Sequence, residues 1–257
     1  MNSIIMPLTL SGHAPNFTRK ATMQHHLSEL NSTNQRRKFL GTLAAGAATL
    51  AALSSPFNLP AMPGEATTPH TFGTSDPDAW FNQLKGKHKL IIDVPAPHEI
   101  FPFAWARVFL MTNIATGTPE KENNVVIILR HEGIPYAFED RLWAKYKFGE
   151  FFKVTDPKTK APSTRNPFWK PMHGDFTVPG LGPVDIGIDQ LQNSGVMFGV
   201  CDVAMTVYSA AMAGNSDPAE VKKDWMSGLL PGVVPQPSGI WAVGRAQEHG
   251  CSYVFAG

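Results

Sequence analysis

A chain of 257 residues that is 43% hydrophobic and 17% charged has the composition of a globular protein, which excludes a disordered or fibrous chain and leads to the expectation of one main domain. The formal charge of +1 is unevenly placed: residues 1–55 hold Arg19, Lys20, Arg36, Arg37 and Lys38 against Glu29, whereas the remainder has 17 basic and 20 acidic residues. No basic run there exceeds Lys222-Lys223, so neither nucleic acid nor an anionic membrane is expected as a partner.

The first segment reads as an address. Asn34-Gln35-Arg36-Arg37-Lys38-Phe39-Leu40 precedes Gly41 to Leu53, an uncharged, Ala-rich run. The paired arginines followed by Phe-Leu resemble a twin-arginine export signal, with Gln35 and Gly41 as departures from that pattern. The resemblance implies a periplasmic or otherwise exported protein in which residues 1–54 are a signal peptide, cleaved near Ala52-Leu53-Ser54. Phe39 to Leu53 is 15 residues, short of the roughly 20 needed to span a bilayer, so no permanent membrane anchor is expected. Residues 55–87 are rich in Pro, Gly, Ser and Thr without a sustained period and read as a linker with one short turn at Asp78 to Leu84.

His88 to Val94 is a first strand, closed by Pro95 and Pro97. Pro102 opens a helix whose body, Phe103 to Ile114, is apolar nearly all round, with Gly117 as its stop; such a helix is expected to be mostly buried. Val125 to Leu129 is an unbroken run rich in β-branched residues, the pattern of a parallel strand covered on both faces, and it ends at Arg130-His131-Glu132-Gly133. Glu139 to Phe148 is a helix with Leu142, Trp143 and Tyr146 on one side and Gly149 as its stop. Residues 155–185 carry six prolines together with Phe168, Trp169, His173 and Phe176. A loop this long is either a lid or interface segment or an inert insertion packed by its own aromatics. Asp185 to Asn193 is a short helix carrying Ile186, Ile188 and Leu191.

Val196 to Val200 is a short apolar run behind a glycine, and from Asp202 the apolar residues fall at Val203, Val207, Ala210 and Ala211, so the period changes from strand to helix at Cys201. In an open α/β sheet the carboxyl ends of the strands face the ligand crevice, and a thiol beside a helix N-terminus is open to activation. Cys201 is the candidate reactive atom. The loop holding Arg130 and His131 leaves the same edge and supplies candidate partners. A second reading stands beside this one, because free cysteine often packs as a small hydrophobe, and Asp202 as N-cap would set a carboxylate against a thiolate. Beyond Gly214, Asp217-Pro218 caps another helix, Leu229 to Val234 is a weak strand interrupted by Pro231, Ser238 caps a helix that Gly250 stops, and Ser252 to Ala256 is the last strand. About five short strands alternating with helices predict an α/β fold with an open, mostly parallel, doubly wound sheet and helices on both faces. In that sheet Cys201 ends one strand while Cys251 begins another, at opposite edges roughly 16 Å apart, whereas a disulfide needs Cα atoms within about 7 Å. No pairing is expected.

The order Val125 to Gly133, then Gly195 to Cys201, then Pro231-Gly232-Val233, Ser238-Gly239 and Arg245 to Tyr253 resembles the DsrE/DsrF-like superfamily over roughly Lys89 to Gly257. The resemblance implies an α/β domain over 88–257 that forms trimers or hexamers, and a strand-end cysteine, here Cys201, that carries sulfur as a persulfide. A sulfur-donor protein or a small sulfur compound would be its partner. The alternative is a non-catalytic oligomeric or small-ligand-binding module with Cys201 in its core. No cofactor is expected: Gly-x-Gly-x-x-Gly, the phosphate loop and Gly-x-Ser-x-Gly are absent, and the histidines lack metal-ligand spacing.

Overall fold

Val125-Val126-Ile127-Ile128-Leu129 presents apolar side chains to both sides of its pleat, and such a strand is stable only where both faces are covered. In the computed structural model, which describes residues 78–257, all five residues are buried. The strands in chain order are β1 (His88–Val94), β2 (Asn123–Leu129), the two-residue β3 (Thr177–Val178) and β4 (Gly182–Pro183), β5 (Met197–Cys201), β6 (Val233–Gln236) and β7 (Ser252–Phe255). The helices are α1 (Phe101–Ala115), α2 (Asp140–Tyr146), α3 (Phe148–Phe151), α4 (Ile188–Asn193), α5 (Asp202–Met212), α6 (Pro218–Ser227) and α7 (Gly239–Glu248). Five strands form one all-parallel sheet in the order β6-β5-β2-β1-β7, while β3 and β4 pair as a small antiparallel hairpin. The fold is α/β.

The chain steps from β1 to β2, β5 and β6 in one direction and then returns across the whole sheet to place β7 beside β1. Crossovers between parallel strands are almost always right-handed, so a reversal of direction sends the connecting helix to the opposite face. That is what α7 does. Its Ala242 and Ala246 pack with Ile91, Val126, Ile128 and Cys251, together with Phe81 and Leu84. The other face carries the larger core, in which Ile92, Ile127 and Phe198 of the sheet meet Phe103, Trp143, Met205 and Trp225 from the remaining helices.

The expected signal peptide lies outside the described residues, as does most of the expected linker. The part of the linker that is described is structural, for a 3-10 turn at Phe81–Gln83 places Phe81 and Leu84 in the core beneath α7. The segment 155–185 is likewise no surface appendage. Phe168 and Phe176 join the main core, and the fully buried Asn166 donates its amide to the carbonyls of Tyr136 and Phe138.

Four expectations require correction. Helix α1 is not buried all round, since Val108, Met111 and Ile114 are about half exposed on the side turned from the sheet. Helix α5 turns the residues read as its apolar side outward: Val203 and Val207 are exposed, while Ala204, Met205 and Ser209 are buried, because the turn directly after β5 fixes the helix phase. Lys147, in a left-handed conformation at φ 51°, ends α2 before Gly149 and sends Phe148 into the core. The weak strand sits at Val233–Gln236, past Pro231, with Pro235 tolerated because β6 is an edge strand.

Where β2 runs into its 3-10 turn, Gly133 passes so close to β1 that a Cβ would stand 2.2 Å from the carbonyl oxygen of Val94. Gly133→Ala is expected to cost about 1–3 kcal/mol by forcing apart the carboxyl ends of β1 and β2. Gly244→Ala, in α7 where a Cβ meets nothing within 4 Å, is expected to be neutral or to stabilise by up to about 1 kcal/mol. Urea unfolding of the two variants measures both effects.

Candidate functional site

Strand β5 passes into α5 with no intervening loop. Cys201 is extended (φ −74°, ψ 112°) and is itself the N-cap, its Sγ accepting a hydrogen bond from the Ala204 amide at 3.2 Å. Asp202 is therefore the first helical residue and not the cap. Its carboxylate accepts from Lys222 Nζ of α6 at 2.8 Å, so the negative charge expected to oppose a thiolate is neutralised by a cation of its own.

The connection after β5 leads to the large-core face, and the connection after the neighbouring β6 leads to α7 on the other face. Where adjacent connections diverge in this way, a crevice opens at the carboxyl ends of the strands. Cys201 stands at that divergence. Its register partner on β6 is Gln236, a side chain 3% exposed that makes no hydrogen bond. Ser238 caps α7, its Oγ accepting from the Trp241 amide at 3.1 Å, so the positive dipole ends of both α5 and α7 lie at the divergence of β5 and β6.

Arg130 follows Leu129, the register partner of Val200, and is thus level with Cys201. Its Nε and Nη2 donate to the two carboxylate oxygens of Asp93 at 2.6 and 2.8 Å, leaving Nη1 without a partner. Asp93, 2% exposed at the end of β1, also accepts from the Tyr253 hydroxyl of β7 at 2.8 Å. The hydrogen bonds to Asp93 chiefly hold the Arg130 guanidinium above its ordinary value, with Cys201 among the weaker contributors. The start of α7 lies directly on the Arg130 stem, for a Cβ on Gly239 would stand 2.4 Å from that of Arg130. His131 is placed differently. It is exposed, at φ 48°, with its ring edge-on to Tyr208 of α5 at 5.6 Å and without a hydrogen bond.

The structure thus brings Arg130 to the edge where Cys201 sits and turns the His131 ring toward Tyr208. Sequence reasoning missed Asp93, Gln236 and Tyr253. Asp93 had a visible signal, since a lone acid in the apolar run Leu90-Ile91-Ile92-Asp93-Val94 must find a cation once the strand is buried. Gln236 and Tyr253 had none, because their role comes only from strand order.

No family model matches the chain, and no curated protein matches it. Among solved structures it is similar to a protein of unknown function, MTH1491, from Methanobacterium thermoautotrophicum, with 14% identity and a TM-score of 0.36 over 66% of this chain and 99% of that one. Among the described residues no three His, Cys, Asp or Glu side chains converge as a metal site, and no helix is long and apolar enough to cross a membrane.

Cys201 and Cys251 are both buried and both free. β5 and β7 are separated by β2 and β1, three strand spacings or about 14 Å, which no disulfide spans. Burial pushes the Cys251 thiol up to about 11. Native Cys251 is accordingly expected to resist iodoacetamide at neutral pH and to react only as the pH approaches about 11, whereas denatured, non-reduced protein is expected to yield two alkylatable thiols. A Cys201–Cys251 crosslink in a peptide map would contradict the strand order.

Proposed function

We propose that the chain is an exported DsrE/DsrF-like protein that carries sulfur as a persulfide on Cys201. One observation carries the reading: Cys201 Sγ sits where the connections of β5 and β6 diverge and already accepts an amide hydrogen bond at the start of α5. A persulfide needs what this edge supplies, namely amide and dipole stabilisation of negative sulfur and a fixed cation in Arg130, with His131 beside it on the same loop. In the loading step the Cys201 thiolate attacks the outer sulfur of thiosulfate or a polysulfide. A sulfur–sulfur bond to the cysteine forms, the original one breaks, and sulfite or the shortened polysulfide leaves with the electron pair, so no separate oxidant is needed. A sulfur-donor protein would serve in the same way.

The second reading, a non-catalytic oligomeric or ligand-binding module, has its own support: Cys201 is only 6% exposed, and capping α5 is a structural task. Intact-mass measurement of the full chain after incubation with thiosulfate or polysulfide separates the two. The first reading expects a gain of one sulfur atom that dithiothreitol removes, that Cys201→Ser abolishes and that Cys251→Ser retains. A folded wild type that gains no sulfur leaves only the second.

The same proposal includes a homo-oligomer, a trimer or hexamer. Its support is the apolar side chains left exposed on three elements: Val203 and Val207 on α5, Val108, Met111 and Ile114 on α1, and Tyr253 and Phe255 on the edge strand β7. Light scattering at micromolar concentration is expected to give a mass of at least three chains, and a monomer would overturn it.

A further inference from the structure

Away from Cys201, the loop after β1, the start of α1 and the segment 153–176 enclose a cavity of about 550 Å³, within the range of sites that hold small organic ligands. Its walls are Phe168 and Phe176, stacked at 4.9 Å with their planes 3° apart, and prolines including Pro97 and Pro157. Tyr136 also lines it. That residue is 1% exposed, wedged between Phe103 and Phe168, and its hydroxyl makes no hydrogen bond. No group among the described residues occupies that hydroxyl, which leaves it free to donate to a ligand in the cavity. Burial also holds the Tyr136 hydroxyl well above its ordinary titration range, so that it remains a donor. His98, in the same wall, leaves its Nδ1 shielded from solvent and unpartnered.

The charges around the opening favour a negative ligand. Lys153 and Lys160 line the cavity, are exposed and have no acidic partner, against a single acid, Glu99. All three are held at positive φ, of 57°, 60° and 46°, so half of the six non-glycine residues in that conformation among the described residues border this one space. Helix α1 begins at Phe101, after its N-cap Ile100, with its positive dipole end toward the cavity, though its first-turn amides are already bonded to His98 and Ile100 carbonyls. The helix therefore contributes its field and no free donor.

We infer that this cavity is a binding site for a small organic anion with a flat apolar body, of the class of aromatic carboxylates. The ring lies against Phe168 and Phe176, Tyr136 donates to the anionic group, and Lys153 and Lys160 neutralise it. The site shares no residue with the Cys201 edge and does not depend on the sulfur-carrier reading.

The test is calorimetric titration of the full chain with 2-naphthoate and with its neutral isostere 2-naphthamide. Expected are saturable binding of naphthoate to one site per chain, and binding of the amide weaker by on the order of tenfold. Tyr136→Phe removes only an unpaired hydroxyl, so its melting temperature should hold or rise while naphthoate affinity falls on the order of tenfold. The double variant Lys153→Gln/Lys160→Gln should lose a similar factor, Glu99→Gln should bind more tightly, and Cys201→Ser should bind as wild type. The inference is overturned if naphthoate does not bind, if the amide binds equally well, or if folded Tyr136→Phe binds like the wild type. A loss of binding in Cys201→Ser would place the ligand at the other edge and overturn it as well.

Discussion

A carboxylate at the end of β1 that is withdrawn almost wholly from water must be fully paired or it will unfold the edge of the sheet. Asp93 meets that demand with both oxygens, one on Arg130 Nε and the other shared by Arg130 Nη2 and the Tyr253 hydroxyl. The partners come from β2 and β7, the two neighbours of β1. Three adjacent strands are thereby tied together. Arg130 in turn carries the start of α7 on its stem, so the same pair sets where the returning helix begins and how close its N-terminus comes to Cys201.

The asymmetry of the two faces follows from a single reversal in strand order. While the chain moves from β1 to β6 every right-handed connection falls on one face, and that face accumulates the large aromatic core. Only the return to β7 uses the other face, which is covered by α7 and the turn around Phe81 and leaves Tyr253 and Phe255 half exposed. The reversal also separates the connections after β5 and β6. Cys201 and Gln236 consequently stand side by side in register, both buried, where the two connections part.

Among the described residues the buried polar atoms without a hydrogen bond include Asn123 Oδ1 on β2 and Trp225 Nε1 on α6 as well as His98 Nδ1. Gln236 and Arg130 Nη1 lie by the thiol, and the Tyr136 hydroxyl and His98 Nδ1 lie around the cavity behind α1. Elsewhere the buried polar side chains of the long segment are well served, as Asn166 and Asp156 show with their several bonds to backbone amides and carbonyls. Satisfied groups hold the segment in the core.

The sequence by itself determined the sheet. The runs Leu90 to Val94, Val125 to Leu129 and Met197 to Val200 are legible because apolar residues on both sides of a strand allow few other environments, and the switch at Cys201 is legible because a period of two changes to one near 3.6 at a single residue. Ser238 and Asp217 announced their helices through local capping, which needs no distant partner. What only the tertiary structure decided is everything fixed by contacts distant in the chain. The phase of α5 is one case, since its own pattern favoured Val203 and Val207 and the turn after β5 buried Met205 instead. The place of 155–185 is another, because prolines and aromatics suit a surface loop as well as a core wall until Asn166 finds the carbonyls of Tyr136 and Phe138. The pairing of Asp93 with Arg130 spans 37 residues, and with Tyr253 160, and no local spacing encodes it. Local periodicity is written in neighbours a few residues apart; a site assembled from the ends of separate strands is written in their order, which the chain settles only when it folds.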